Sequence, residues 1–229
     1  RDPEMSRGLG DVYKRQACEI TDNCFTHLLS YIKTGMTEKQ IALEIEMYFK
    51  THGADGVSFE PIVAIGENSS IPHWIPGDRK VEMADPILID MGCKYEGYCS
   101  DMTRTIFMGC ILEEIKPVYD LTLKNLELST KEITDGYTIK TAANMVESDF
   151  KVNGYNLIHA LGHGVGLEVH ELPFIRLKNE ANFKENMVIA DEPGIYLPGK
   201  YGIRIEDTLL VTKDGSERLT KSERGYVVI

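Results

Sequence analysis

Long hydrophobic runs are absent from this sequence, and so is an excess of positive charge. No apolar run approaches the roughly 20 residues that cross a bilayer, and no stretch has the apolar core of a secretory signal. Lys and Arg number 25 against 36 Asp and Glu, which gives a net charge of −11. Since affinity for a phosphate backbone comes mainly from clustered Lys and Arg, we expect no nucleic-acid partner. The lack of apolar runs likewise predicts no membrane partner.

Paired cysteine spacing is also lacking, because the five cysteines form no Cys-x-x-Cys motif. This pattern predicts reduced thiols in a cytoplasmic protein. The 229 residues, 42% of them hydrophobic, suffice for one large domain or two small ones. Residues 1–16 mix charges with Gly and Pro and show no apolar period, so we interpret them as a cloning or translation remnant and 17–229 as a single domain.

Four helices are predicted from apolar residues at helical spacing and from their start and stop signals. They are expected at about 17–32, 37–53, 117–134 and 138–154. Thr37 and Gln40 form a capping-box pattern, and Pro117 suits the first turn of the third helix. A strand is predicted over 57–66.

The helix signals recur at a constant offset of 101 residues. Gly35, Thr37, Phe49-Lys50 and Gly53 correspond in this way to Gly136, Thr138, Phe150-Lys151 and Gly154. Such a period is far longer than that of solenoid repeats. The pattern therefore predicts a fold of the α/β (α+β) class, with two related halves that each contain two helices followed by a sheet.

A β-hairpin is predicted over 86–107, where an apolar run, a Gly-containing turn and a run rich in Thr and aromatics follow one another. Asp90 and Asp101 are equidistant from a turn at Tyr95-Glu96, which would place their Cβ atoms roughly 5 Å apart on one face. Such opposed charges require a proton or a cation between them, so metal binding is favoured. A surface hairpin with two solvated aspartates stays open, and a bulge at Gly97 would slip the register by one residue.

The second half contains a matching pair of acids. Adding 101 to Asp90 gives Asp191, next to Glu192, within a strand-like run over 187–196. A second run covers 202–212, and Glu192 and Glu206 are symmetric about Gly199. A loop with an odd number of residues would place these two glutamates opposite each other on one face.

Imidazoles lie between the two acid pairs, in the segment from His159 to His170. His159 and His163 have the spacing of a zinc-binding helix, but Gly162, Gly164 and Gly166 argue against a helix here. His163 is the favoured ligand, since the glycines let a ligand approach closely. A hydrogen-bonded core histidine is the alternative.

Four carboxylates and one imidazole suit Mn²⁺, Fe²⁺, Co²⁺ or Zn²⁺ better than a thiolate site would, and four acids can hold two divalent ions. Two ions a few ångströms apart can share a water, lower its pKa and polarise an attacked carbonyl. The reaction that this chemistry predicts is hydrolysis.

These motifs together resemble the pita-bread metallopeptidases. The resemblance covers the chain from about Ala17 to the C-terminus and rests on the motifs around five residues that look like the family's metal ligands: Asp90, Asp101, His163, Glu192 and Glu206. The motif Arg204-Ile-Glu206-Asp207 is similar to that of the Xaa-Pro aminopeptidase and Xaa-Pro dipeptidase (prolidase) branch. The resemblance implies a pita-bread fold with two pseudosymmetric halves.

The resemblance also implies roles. Asp90 would chelate one ion, Asp101 and Glu206 would bridge two, and His163 and Glu192 would complete the second site, with Mn²⁺ preferred over Co²⁺, Zn²⁺ or Fe²⁺. Glu192 would also help to activate a metal-bridging hydroxide. His170 matches the residue that hydrogen-bonds the scissile carbonyl, and His73 matches a residue near the leaving nitrogen. His159 and Arg204 match residues beside the proline pocket.

The implied activity is hydrolysis of an Xaa-Pro bond in dipeptides or at the N-terminus of peptides that carry proline second, by a catalytic domain that could form a homodimer. A methionine aminopeptidase, an inactive peptide-binding member of the same fold and a non-catalytic cation-binding protein are the alternatives. Trp74 and Ala190-Asp191 depart from the family pattern near the pocket, which puts the substrate preference in doubt.

Overall fold

The computed structural model describes residues 3–229 and contains four long helices. They are α1 (Pro3–Tyr31), α2 (Glu38–Thr51), α3 (Lys116–Glu132) and α4 (Ile139–Val152). The capping box of α2 is formed as predicted, because Thr37 Oγ1 accepts from Gln40 N at 3.2 Å and Gln40 Oε1 accepts from Thr37 N at 2.9 Å. Thr138 precedes α4 but makes no side-chain cap; its hydroxyl bonds Asn182 instead.

Helix α1 begins well before residue 17, where the apolar period begins. Residues 1 and 2 of the predicted remnant lie outside the described residues. Later residues of that segment pack on the fold: Arg15 donates to both carboxylate oxygens of Glu217 at 2.6 and 2.7 Å, and the Tyr13 ring lies about 6 Å from those of Tyr95 and Tyr98. These partners are distant in sequence, so no local period could have indicated the packing.

Thirteen strands occur in the described part of the chain. They are β1 (Gly56–Val57), β2 (Ile62–Ile65), β3 (Pro86–Met91), β4 (Cys93–Tyr95), β5 (Tyr98–Cys99), β6 (Met102–Phe107), β7 (Gly162–Gly164), β8 (Glu171–Ile175), β9 (Val188–Asp191), β10 (Gly194–Leu197), β11 (Tyr201–Arg204), β12 (Asp207–Thr212) and β13 (Gly215–Arg218). The strand expected over 57–66 is interrupted between β1 and β2, where Pro61 has no N–H for a ladder.

The two halves repeat one another in order and in topology. Helices α2 and α4 have bounds that differ by 101 residues at both ends, and α1 and α3 end 101 residues apart. The first half contains a sheet of order β2-β3-β6, and the second half repeats that order as β7-β9-β12 inside the five-stranded sheet β13-β12-β9-β7-β8. The predicted duplication is therefore visible in the fold.

Each half has its own apolar core between its helices and its sheet. Equivalent positions of α2 and α4 are buried, such as Phe49 and Phe150. No helix among residues 3–229 combines the length and apolarity that crossing a membrane requires. The two cores fix the sheets so that the strand ends of both halves meet near one cavity.

The register of the first hairpin differs from the prediction. The β3–β6 ladder pairs Asp90 with Thr103, and β4–β5 pairs Tyr95 with Tyr98. The turn is the two-residue loop Glu96-Gly97, in which both residues have positive φ, so its centre lies one residue later than expected. Asp101 is thus diagonal to Asp90 on the same face, and the expected direct opposition of the two aspartates is wrong.

The register of the second hairpin agrees with the prediction. The three-residue loop 198–200 joins β10 and β11, which pair Gly194 with Arg204, and β9 pairs with β12 through Asp191 and Asp207. Continuing either ladder by one or two residues brings Glu192 opposite Glu206. The odd loop length explains why the two glutamates share one face.

Candidate metal centre

One cavity of about 750 Å³ is lined by every residue that the sequence singled out for the site. Those residues are His73, Asp90, Asp101, His159, His163, His170, Glu192, Arg204 and Glu206. Carboxylates from the first half and from the second half therefore converge on a shared space. Local sequence could not show this convergence, because the two acid pairs lie about a hundred residues apart along the chain.

Strand ends and strand breaks position the acids. Asp90 lies near the end of β3, and Asp101 immediately precedes β6. Glu192 and Glu206 occupy the breaks at which β9 passes into β10 and β11 into β12. At such breaks the backbone leaves the ladder, so side chains can point into a cavity while the flanking strands hold the backbone.

Two contacts between candidate ligands are made by His163, in the middle of β7. Its Nε2 lies 3.5 Å from Asp101 Oδ2 and 3.5 Å from Glu192 Oε1. One ligand atom each of Asp101, His163 and Glu206 lies within 4.8 Å of the others. This spacing lets one cation contact ligand atoms from both halves at once.

The tautomer of His163 follows from its hydrogen bond. Nδ1 lies 3.1 Å from the carbonyl oxygen of Gly164, which can only accept, so Nδ1 carries the proton. Burial lowers the pKa of His163 to about 4. The imidazole is therefore neutral near pH 7, and its Nε2 lone pair faces the acids, which is the state that a metal ligand requires.

Burial and the neighbouring acids raise the pKa values of three carboxyl groups in the cavity. Burial, reinforced by Glu206, Asp90 and Glu192, raises the pKa of Asp101 well above its ordinary value. Burial also raises the pKa of Glu192 to about 8, and burial together with Asp90 and Glu192 raises the pKa of Glu206. Positive charge in the cavity would lower these pKa values and favour the ionised carboxylates.

Arg204 supplies a strong compensating contact. Its Nη2 donates to Asp90 Oδ2 at 2.6 Å, while Nη1 donates to Tyr196 Oη at 2.7 Å and to the Pro72 carbonyl at 3.2 Å. Nε donates to Thr103 Oγ1 at 3.0 Å. These bonds use four of the five N–H donors of the guanidinium, so Arg204 lies beside the pocket but mainly orients its neighbours.

His159 contacts the same hydroxyl of Tyr196 as Arg204 does. Its Nε2 is 2.9 Å from Tyr196 Oη and its Nδ1 is 2.7 Å from the Ala160 carbonyl. Burial, and then the charge of Arg204, lower the pKa of His159 to about 4. The ring therefore remains neutral and is held in one orientation.

Thr103 and Tyr196 also contact the candidate site residues, although the sequence pattern did not indicate them. Thr103 Oγ1 donates to Glu206 Oε2 at 2.5 Å and accepts from Arg204, so it orients two members of the site. Tyr196 joins His159 to Arg204. Both lie within the motifs Ser-Asp-Met-Thr-Arg-Thr and Glu-Pro-Gly-Ile-Tyr, but nothing in those motifs indicates their partners.

The residues fit divalent cations. Asp90 Oδ1 is buried and has no hydrogen-bond partner within residues 3–229, while Oδ2 is engaged by Arg204. Hard oxygen donors with a neutral imidazole match the preferences of Mn²⁺, Co²⁺, Zn²⁺ and Fe²⁺. The unpaired oxygen, the neutral His163 and the mutual repulsion of the acids all favour a bound cation.

Comparison with known proteins identifies the family of this chain. The profile described as metallopeptidase family M24 matches residues 13–213. The chain belongs to this family. It is 40% identical over 211 residues to an Xaa-Pro dipeptidase of Pyrococcus furiosus, an alignment that covers 91% of this chain and 61% of that protein.

Solved structures of the M24 family share the fold. An X-Pro aminopeptidase from Thermotoga maritima superposes with a TM-score of 0.94 at 40% identity, covering 96% of this chain and 63% of that one. A prolidase from Pyrococcus furiosus gives a TM-score of 0.91 at 39% identity, covering 93% and 64%. The M24 chain described here therefore has the pita-bread fold, and it spans less than two thirds of the length of these relatives.

Proposed function

We propose that this M24 chain hydrolyses the peptide bond between an N-terminal residue and a following proline, in dipeptides or in longer peptides. The observation that carries the proposal is the convergence of Asp101, His163 and Glu206 in one buried cluster, with Asp90 and Glu192 lining the same cavity. The names of the relatives, Xaa-Pro dipeptidase and X-Pro aminopeptidase, support proline as the second residue.

Five residues would hold two divalent ions, with Mn²⁺ preferred over Co²⁺, Zn²⁺ or Fe²⁺. Asp90 would belong to one ion, Asp101 and Glu206 to both, and His163 and Glu192 to the other. Bound ions would supply Lewis acidity and a water of lowered pKa, that is, a hydroxide nucleophile. Thr103 and Arg204 would keep Glu206 and Asp90 in orientations that suit this role.

The other polar residues of the cavity would bind substrate and move protons. His170, whose ring centroid lies 4.3 Å from that of His163, would donate to the scissile carbonyl oxygen. Proline as leaving group has no N–H, so its nitrogen must receive a proton as the bond breaks. His73 or Glu192 would deliver that proton, and His159 and Arg204 would contact the proline.

The direct test is turnover of three peptides by metal-loaded protein. Ala-Pro and Ala-Pro-Ala should be cleaved before proline, while Met-Ala should not. Release of Met from Met-Ala, with no cleavage before proline, would indicate a methionine aminopeptidase. Binding of Ala-Pro-Ala without turnover in Mn²⁺ would indicate an inactive peptide-binding protein.

We also infer a reducing compartment, the cytoplasm, as the place of action. The five cysteines are free thiols, and four of them are buried. Free thiols in this number are typical of proteins that work under reducing conditions. A homodimer stays part of the proposal, to be tested by the mass of the protein in solution.

A further inference from the structure

Glu38, the first residue of α2, is a completely buried carboxylate outside the metal centre. No ion pair of Glu38 occurs among the described residues, so neutral donors alone compensate its charge. A buried carboxylate is costly unless several hydrogen bonds stabilise it. The identity of its donors therefore indicates what this charge holds in place.

Four hydrogen bonds reach the carboxylate, and all come from one segment, residues 65–77. Oε1 accepts from Ile65 N at 2.9 Å and from Asn68 Nδ2 at 2.8 Å. Oε2 accepts from the indole Nε1 of Trp74 at 2.8 Å and from Gly77 N at 2.7 Å. One side chain thus fixes both ends of the loop and two side chains between them.

That loop presents His73 to the cavity. Trp74 also lines the cavity and packs against a small apolar cluster that includes Leu88 and Tyr196. On the other side of His73, the Pro72 carbonyl accepts from Arg204. Both neighbours of His73 in the chain are therefore held by buried charged residues, Arg204 for Pro72 and Glu38 for Trp74.

The internal repeat shows that a helix start does not require this acid. The residue equivalent to Glu38 in the second half is Ile139, which is also buried and also begins its helix. In the second half, the connection between β7 and β9 contains β8, which pairs with β7. In the first half, the described residues between β2 and β3 contain a short 3-10 helix (Gly66–Ser70) and no strand. Hydrogen bonds to Glu38 hold this loop in the half that lacks such a strand.

We propose that Glu38 is a positioning residue, which acts on the reaction through Trp74 and the loop that places His73. Its effect on catalysis rests on the proposed function, whereas its effect on the loop does not. Misplacing a group that assists the leaving nitrogen lowers kcat and leaves KM nearly unchanged, because the contact is made in the transition state.

The test is Glu38→Gln, which keeps the size of the side chain but replaces one acceptor oxygen with an NH₂ group, so that at least two donors lose their partner. Trp74 is the only tryptophan of the chain, so tryptophan emission, excited selectively over tyrosine, reports on this loop alone. We expect emission at longer wavelength, stronger quenching by acrylamide, wild-type metal content and a kcat for Ala-Pro that is about 10- to 100-fold lower.

The matched control is Asp149→Asn, which removes a hydrogen-bonded helix carboxylate from the second half, where Asp149 accepts from Lys124 and Asn125. This variant should keep the wild-type kcat and emission. In a His73→Ala background, Glu38→Gln should cost no further kcat, because the two residues act as a unit.

Unchanged emission and kcat in Glu38→Gln, or a full additional loss in the His73→Ala background, would overturn the proposal. If Glu38→Gln does not fold, Trp74→Phe tests the proposal instead, because it keeps an aromatic ring but removes one donor to Glu38. A lower kcat at constant KM supports the proposal, and a wild-type kcat refutes it. If the wild-type protein cleaves no Xaa-Pro peptide, the proposed function is refuted. The fluorescence of Glu38→Gln still tests whether Glu38 positions the loop.

Discussion

Asp191 and Asp207 lie directly opposite each other in the β9–β12 ladder, both completely buried, yet their surroundings differ in charge. Asp207 is paired with three arginines: Arg104 at 2.7 Å, Arg218 at 3.2 Å, and Arg224. Burial raises its pKa, but the arginines outweigh burial and hold the pKa below the ordinary value.

Asp191 receives weaker compensation, from hydrogen bonds and from the more distant charge of Arg224. Its Oδ2 accepts from Ser129 Oγ at 2.6 Å, and no ion pair involves it among the described residues. Burial raises the pKa of Asp191 to about 7 despite the Ser129 hydrogen bond. At about pH 6 Asp207 is therefore ionised and Asp191 is mostly protonated.

Replacing these two aspartates by asparagine should give unequal losses of stability. At about pH 6, Asp207→Asn leaves three arginines without their shared anion and should lower the free energy of unfolding by about 3 kcal/mol or more. Asp191→Asn replaces a neutral group by a neutral group and should cost less than about 1 kcal/mol. Urea denaturation of both variants measures the difference.

The stability of the wild type and that of Asp191→Asn should depend differently on pH. A carboxyl group with a raised folded pKa binds more protons in the folded state, so wild-type stability falls as pH rises from the ordinary value of 3.8 through about 7. The Asp191→Asn variant lacks this loss and should match or exceed the wild type at about pH 8. Equal losses for both variants at every pH would contradict the assignment.

This pair also shows how far the internal repeat can be used. The offset of 101 residues predicted two related halves and pointed to Asp191 as the counterpart of Asp90. The structure, however, directs the Asp191 carboxyl to Ser129 of α3, while Glu192 enters the cavity. Neighbouring residues of a strand face opposite sides, so an error of one position in the repeat exchanges a cavity residue for a core residue.

Metal-free protein should lose stability as pH rises from about 6.5 to about 8. Glu192 has a folded pKa of about 8 against an ordinary value of 4.5, and the pKa values of Asp101 and Glu206 are raised as well, so the folded state binds excess protons in this range. His159 and His163 act with the opposite sign, but only between about 4 and 6.5.

Thermal melting after chelation measures this dependence. The melting temperature should fall across the range without metal, and added Mn²⁺ should remove the fall because the cation replaces the bound protons. A melting temperature of the chelated protein that rises from about pH 6.5 to about pH 8 would show that the acids are not crowded as described.

Thr103→Val should weaken metal binding without unfolding the protein. The valine has nearly the same shape but cannot donate to Glu206 or accept from Arg204. Loss of a residue that orients a ligand typically costs about 10- to 100-fold in metal affinity. Calorimetric titration with Mn²⁺ measures the change, and Thr103→Ser, which keeps the hydroxyl, should bind nearly as the wild type does. Wild-type affinity in Thr103→Val would exclude an orienting role.

The two hairpins show why one register could be predicted and the other could not. Glu192 and Glu206 were placed correctly because an odd loop centred on Gly199 leaves them opposite. Asp90 and Asp101 were misplaced because the turn is centred between Glu96 and Gly97. Glu96 has a φ of +48°, which is uncommon for a non-glycine residue, so this turn type had only a weak local signal.

The contacts that orient the site could not be predicted from local sequence. Thr103 meets Glu206, and Glu38 meets Trp74, only after the strands and helices have packed. Periodicity and capping signals describe neighbours within a few residues, whereas these partners lie far apart along the chain. Residue spacing and the resemblance to a known family identified the candidate ligands but did not identify the residues that support them.

Asp101→Asn should abolish metal binding and peptide hydrolysis together while the helices stay folded. Asp101 lies in the cluster with His163 and Glu206, and an amide lacks the negative charge of a carboxylate. Metal analysis, circular dichroism and turnover of Ala-Pro measure the three effects. The control is Asp55→Asn, an exposed residue whose carboxylate accepts from Gly97 N in the same hairpin, and it should keep full activity. An active Asp101→Asn protein would refute the ligand assignment.

The most direct test of the account is anomalous diffraction from crystals of the wild-type protein grown with Mn²⁺. We predict two anomalous peaks per chain, about 3.5–4 Å apart, with Asp101 and Glu206 between them and His163 at one of them. No peak in the cavity, or peaks contacted by residues of one half only, would contradict the claim that the two halves share a pair of ions.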